Sequence, residues 1–216
     1  PAVAASYGVK SYDCLTGFKY IAKIIREKEG VEQYIGGGEE SFGFLAGDFV
    51  RDKDAVSACS LAAEAAAWAK TKGLSLYSWL KQMYVKFGFY KEGLVNVVRK
   101  GKEGQEEIAR MMSDYRSNPP QSILGSPVVL IKDYKSLEQT DLRTGKKTPI
   151  EMDSSNVLQF FTEEGTKVSV RPSGTEPKIK FYFGVKAPLC CPDHFADVEA
   201  QLDAKIENIK KELNLL

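Results

Sequence analysis

Histidine is almost missing from this chain: its 216 residues include one, His194. A single imidazole leaves no partner set for a serine or cysteine triad and no histidine-rich metal site. Cysteine is scarce as well. Cys14, Cys59, Cys190 and Cys191 have neither the spacing of metal ligands nor the density of a disulfide scaffold. They read as free thiols, with the adjacent pair a poor structural bridge. No apolar run is long enough to span a bilayer, since the longest, over residues 62–69, is interrupted by Glu64. The N-terminus also lacks a basic flank followed by an apolar core. Together these features predict a cytoplasmic protein with no membrane partner. Excess charge of one sign is absent too: 30 basic against 29 acidic residues leave a formal net charge of +1. No global field recruits nucleic acid, so anion binding must be local. There is no Walker-type loop, no dinucleotide fingerprint, no internal repeat and no low-complexity tract.

What is present is ordinary globular composition, 43% hydrophobic and 27% charged, in a length that fits one large or two modest domains. The chain begins with proline and residues 1–8 read as the end of a helix stopped at Gly8, so a fragment of a longer protein is expected. A short strand is predicted over residues 9–12, followed by a helix to residue 28 with Thr16 as its cap; Tyr20, Ile21, Ile24 and Ile25 form its apolar stripe. Asp54 is a good N-cap for the alanine-rich helix over residues 55–70, and a second amphipathic helix covers residues 75–86. A domain boundary is placed at residue 88. Beyond it the periodicity gives a strand around Leu94–Val98 positions, a helix over 103–115 and strands at 128–131, 157–161, 167–170 and 179–185. A last helix, capped by Asp193, runs to residue 213.

Four stretches carry candidate chemistry. Residues 171–178 read Arg-Pro-Ser-Gly-Thr-Glu-Pro-Lys between two alternating strands. Arg171 offers a planar fork of donors, Ser173 and Thr175 offer hydroxyls, Gly174 permits close backbone approach, and two prolines stiffen the loop. The stretch fits a phosphate cradle, and it equally fits a hairpin turn with solvated charges. Residues 36–43 form a glycine-rich loop with Glu39, Glu40 and Ser41, suited to sugar hydroxyls or to a plain solvated turn. Lys53 lies just before a helix, where positive partial charge makes it a candidate acid/base group; Arg51 to Asp54 equally fit a charged capping turn, and no calcium loop is formed. Thr16 and Gly17 precede a helix and fit capping as well as binding.

In this order the stretches Thr16-Gly17-Phe18-Lys19, Gly38-Glu39-Glu40-Ser41-Phe42-Gly43, Arg51-Asp52-Lys53-Asp54 and 171–177 resemble the C-terminal half of the α-D-phosphohexomutases, the phosphoglucomutase/phosphomannomutase family. The resemblance covers essentially the whole chain. It implies an incomplete α/β third domain with a mixed sheet over residues 1–88, and an α+β fourth domain like the TATA-binding protein over 89–216. It implies that the full protein interconverts hexose 1-phosphate and 6-phosphate through a phosphoserine and a bisphosphate intermediate, with Mg2+ and a hexose 1,6-bisphosphate activator. The serine loop and the metal loop would lie in missing N-terminal domains, so this chain carries no metal ligand and is inactive alone.

The resemblance further implies that Glu39 and Ser41, with Thr16 and Gly17, bind sugar hydroxyls and that Lys53 assists proton transfer. Arg171, Ser173, Gly174, Thr175 and Lys178 would bind the phosphate that is not transferred. A mutase for pentose or glucosamine phosphates, a non-catalytic sugar-phosphate-binding module and a purely structural role remain as alternatives.

Overall fold

The computed structural model describes residues 1–39, 43–174 and 176–215. Ser41 and Thr175, both singled out above, lie outside the described residues. The chain divides into two compact units, Pro1–Met83 and Tyr84–Leu216.

The first unit opens with α1 (Ala2–Ser6), whose trailing Gly8 takes φ +66°, as the stop signal requires. Residues 9–12 are not a strand. Their polar side chains are drawn instead to one carboxylate, with Lys10 Nζ and Tyr12 Oη each 2.8 Å from Glu32 Oε1. The following helix, α2 (Phe18–Lys28), buries Phe18 and Ile25. Thr16 does not cap it: the capping position is Gly17, with φ 125° and no side-chain hydrogen bond. A residue with a Cβ rarely adopts that φ, so the glycine is needed for the chain to enter the helix at this angle.

The glycine run, expected to be a loop, is itself a strand over its first three residues. β1 (Gly36–Gly38) pairs antiparallel with β2 (Phe44–Ala46), with Gly37 opposite Leu45. Tyr34 explains why glycines are used there. Its hydroxyl donates to the Leu45 carbonyl at 3.1 Å, and a Cβ on Gly37 would sit 2.9 Å from Tyr34 Oη. Next come α3 (Ala55–Thr71) and α4 (Leu76–Phe87). Asp54 caps α3 as expected, accepting from the backbone N–H groups of Val56 at 3.0 Å and Ser57 at 3.3 Å.

The second unit is built on β3 (Phe89–Val98), α5 (Gly101–Ser117), β4 (Ser122–Ile123), β5 (Ser126–Asp133), β6 (Glu138–Asp141), β7 (Lys147–Pro149), β8 (Leu158–Thr162), β9 (Lys167–Pro172), β10 (Lys178–Ala187) and α6 (Phe195–Glu212). Among the described residues these strands make one eight-stranded sheet in the order β3-β10-β9-β8-β5-β6-β7, with β4 added beside β5. Every pairing is antiparallel. Alternation along β10 sends Ile179, Phe181, Phe183 and Val185 to one buried face, and Ile108 and Met112 of α5 with Leu202, Ile206 and Ile209 of α6 complete that core. Each of the four β10 side chains contributes about 1.5–3 kcal/mol on burial. Asp193 does not cap α6. It lies inside a 3₁₀ turn, Pro192–His194, and His194 takes the capping position without a side-chain hydrogen bond.

Candidate functional site

In the first unit the β1–β2 hairpin brings Glu39 and Lys53 together over one residue. A Cβ on Gly43 would lie 2.7 Å from Glu39 Oε2 and 3.3 Å from Lys53 Cδ, so a glycine is what lets both side chains cross this backbone. The backbone N–H of Glu39 donates to the Gly43 carbonyl at 2.7 Å, and that of Asp54 donates to the Phe44 carbonyl at 3.0 Å, which draws residue 53 alongside β2. Lys53 Nζ rests 5.7 Å from the centroid of buried Phe18 and 3.5 Å from Asp52 Oδ1. Partial burial pushes the Cys14 thiol up, and the nearby carboxylates of Asp13 and Glu39 push it in the same direction. A carboxylate, an ammonium and the start of α2, where Thr16 and Gly17 stand, thus belong to one neighbourhood. That neighbourhood offers acceptors and donors of the kind that sugar hydroxyls need.

In the second unit the Arg-Pro-Ser-Gly-Thr-Glu-Pro-Lys stretch joins β9 to β10. Pairing continues to Pro172 opposite Ile179, and Ser173 N–H donates to the Lys178 carbonyl at 2.8 Å. The base of the loop is therefore closed by backbone bonds. Its far strand is also anchored, because Arg99 N–H donates to the Pro177 carbonyl at 2.9 Å. Lys178 pairs with Glu176, and that ion pair holds the Glu176 carboxyl below the usual carboxylate range.

The register adds a residue that motif reading passed over. Arg171 stands directly opposite Lys180, and side chains of such pairs share one face with Cβ atoms about 4.5–5.5 Å apart. Lys178, two residues before Lys180, lies on the same face. Val170, Ile179 and Phe181, of opposite parity, are buried against the core. Three cations thus line the face away from the core, and like charges opposite one another are destabilising unless an anion joins them. Among the described residues, no hydrogen bond or ion pair engages the Arg171 guanidinium. The signal for Lys180 was available in the period of two, but only once the β9–β10 pairing is known.

A separate cavity of about 260 Å³ opens on the α5 side of the loop, lined by Gln105, Ile108, Met112, Asn156, Ser173 and Gly174 among others. Asn156 is held there by Arg116 Nη2, which donates to its Oδ1 at 2.7 Å while the guanidinium also clasps Asp133 at 3.0 and 3.3 Å. Lys178 also lines this cavity, whereas Arg171 and Lys180 do not. The cationic face offers an anion charge-assisted bonds, which are the strong ones.

The four cysteines include one grouping that their spacing did not announce. Cys190, Cys191 and His194 converge, with Cys190 Sγ 3.0 Å from His194 Nδ1.

Residues 1–87 match the family model for phosphoglucomutase/phosphomannomutase, alpha/beta/alpha domain III, and residues 94–188 match that for the phosphoglucomutase/phosphomannomutase C-terminal domain. A phosphoglucomutase of Staphylococcus aureus strain N315 is 40% identical over 205 residues, covering 95% of this chain and 36% of its own length. One from Staphylococcus haemolyticus strain JCSC1435 is 35% identical over 200 residues, covering 93% and 35% respectively. Among solved structures, the open form of the exocytosis-sensitive phosphoprotein pp63/parafusin, a phosphoglucomutase from Paramecium, superposes with a TM-score of 0.57 at 17% identity. It covers 97% of this chain and 36% of that one. The chain therefore spans about a third of the length of its relatives. Two consecutive domain models, matched in family order over most of the sequence, make this chain a member of the phosphoglucomutase/phosphomannomutase family.

Proposed function

We propose that this chain is the sugar- and phosphate-binding portion of a mutase that interconverts hexose 1-phosphate and 6-phosphate. Phosphoryl transfer runs through a phosphoserine and a hexose 1,6-bisphosphate in the whole protein, a cytoplasmic enzyme whose remaining domains precede this portion. Residues 1–88 act as the sugar-binding domain and residues 89–216 as the phosphate-binding domain. The observation that carries this reading is the trio Arg171, Lys178 and Lys180 on one sheet face beside a stiff, donor-rich loop. Arg171 clasps two phosphate oxygens, Lys178 and Lys180 neutralise the remaining charge, and Ser173 and Gly174 supply a hydroxyl and close backbone approach. Thr175 adds a second hydroxyl.

Glu39 and Ser41 accept hydrogen bonds from sugar hydroxyls, with Thr16 and Gly17 at the edge of that site, and Lys53 relays a proton at the reacting oxygen. Holding the phosphate that does not react fixes the other end of the sugar, so the attacking hydroxyl is presented in one orientation. When bound, Mg2+ would neutralise charge on the transferring phosphoryl group. Mg2+ takes hard oxygen ligands, and among the described residues the grouping suited to a metal is Cys190, Cys191 and His194, with sulfur and nitrogen donors. These residues do not fit Mg2+, whose ligands belong to the preceding domains.

Calorimetric titration with glucose 6-phosphate tests the reading. Arg171→Ala should weaken binding about tenfold to a hundredfold, since hydrogen bonds to charged groups contribute about 1.5–3 kcal/mol. Equal affinity in the variant and the parent would refute the assignment of this face.

A further inference from the structure

We propose that Cys190, Cys191 and His194 form a chelating site for one thiophilic d10 cation, Zn2+ in the first instance. The three ligand atoms all lie within 4.8 Å of one another. Cys190 Sγ stands 3.9 Å from Cys191 Sγ and 3.0 Å from His194 Nδ1. With Zn–S bonds of about 2.3 Å and Zn–N bonds of about 2.0–2.1 Å, a tetrahedral centre sets its ligands about 3.8 Å apart for sulfur–sulfur and about 3.5 Å for sulfur–nitrogen. The sulfur pair already has the tetrahedral edge. The sulfur–nitrogen pair is at hydrogen-bond length and opens by about half an ångström when the metal replaces the proton between them.

The segment is held in place without a metal. Leu189 on one side and Phe195 on the other are buried, and Phe195 stacks on Phe89 with centroids 4.7 Å apart. Between them the 3₁₀ turn begins at Pro192, and His194 N–H donates to the Cys191 carbonyl at 3.3 Å. Folding therefore brings the donors together before any ion arrives, which lowers the entropic cost of chelation. Cys190 and His194 are exposed and Cys191 is half-buried, so the site is reachable from solvent. Two thiolates and an imidazole are soft to borderline donors, which select Zn2+ or Cu+ over Mg2+. On binding, the two thiols give up their protons to solvent and the cation takes their place; three protein ligands leave a fourth position for water. The site uses none of the sugar and phosphate residues, and it makes the turn before α6 a point where a thiophilic cation can clamp the second unit.

The test uses the full 216-residue chain, kept reduced under argon. Competition against a chromogenic chelator gives Zn2+ stoichiometry and affinity, and Co2+ gives a sulfur-to-metal charge-transfer band with tetrahedral d–d absorption. One ion per chain is expected for Zn2+, with no competition by Mg2+. Cys190→Ser, Cys191→Ser and His194→Asn should each weaken binding at least about tenfold, because even outer-shell changes cost that much. Cys59→Ser should change nothing. Asparagine is a favoured helix N-cap, so His194→Asn keeps α6, and far-ultraviolet circular dichroism checks this. Absence of stoichiometric binding overturns the proposal, as does binding insensitive to Cys190→Ser, or a His194→Asn variant that binds like the parent.

Discussion

Gly104 presents a case in which two physical arguments predict opposite signs. It is buried in the first turns of α5, where helical backbone suits alanine without strain. Helix propensity alone therefore predicts that Gly104→Ala stabilises by about 0.8–1 kcal/mol. The packing predicts otherwise. A Cβ built there would stand 2.5 Å from the Arg99 carbonyl carbon, 2.6 Å from its oxygen and 2.7 Å from its Cβ. These atoms are mainly backbone at the end of β3, and that backbone cannot swing aside as a side-chain tip would. Overpacking of this kind costs about 1–3 kcal/mol. Contacts this short put the net effect on the destabilising side by about 1–2 kcal/mol. For a unit of this size that lowers Tm by about 3–10 °C. The disturbance should also reach the candidate site, since Arg99 N–H is bonded to the Pro177 carbonyl of the 171–178 loop at 2.9 Å. Thermal melts followed by circular dichroism, with hydrogen exchange at the Arg99 amide, measure both effects. A Tm equal to or above that of the parent would refute the reasoning, and normal Arg99 protection beside a lowered Tm would refute its extension to the loop.

Two further outcomes concern pH. Lys91 on β3 is bonded to Asp203 at 2.8 Å and Glu199 at 3.0 Å on α6, and these bonds, Asp203's first, raise its pKa against the opposing effect of burial. A raised lysine stabilises fully below its unfolded value, near 10.4, and loses that contribution as pH climbs through the higher folded value; Lys91→Met should therefore cost about 0.5–1 kcal/mol at pH 8, and the cost should shrink in urea melts as pH rises through that folded value. The Asp54 carboxyl is held below its ordinary value, first by the Ser57 hydroxyl and then by the Val56 N–H. Its contribution is present above pH ~4 and lost as pH falls through the lower folded value, so Asp54→Ala should lower Tm at pH 7, and the difference should shrink as pH falls through that folded value.

How much of this was legible beforehand depends on whether the cause is local. Asp54 caps α3 through bonds to Val56 and Ser57, and β8 and β10 declare themselves by alternating burial. Such signals need no knowledge of distant partners. The failures have non-local causes. β6 and β7, Glu-Gln-Thr-Asp and Lys-Thr-Pro, show no apolar alternation: β7 is the edge strand, where Pro149 is tolerated, β6 lies next to it, and no residue of either is fully buried. The glycines of β1 became a strand because Tyr34 and Leu45 pack against them, and nothing in a run of glycines states that.

The same distinction divides the candidate sites. Arg171, Ser173 and Lys178 are neighbours in sequence, and their chemistry could be read as a motif. Lys180 joins them only through the β9–β10 register, and Glu39 meets Lys53 only because Gly43 leaves room for both. Cys190, Cys191 and His194 are close in sequence, yet their spacing matches no familiar ligand pattern; a 3₁₀ turn between two buried anchors brings them together. Motif reading thus finds the residues that a loop carries, whereas pairing and turn geometry decide which other residues share their face. The affinity of the Arg171 face for phosphate should accordingly fall in Lys180→Met as well as in Arg171→Ala, although only Arg171 belongs to the motif.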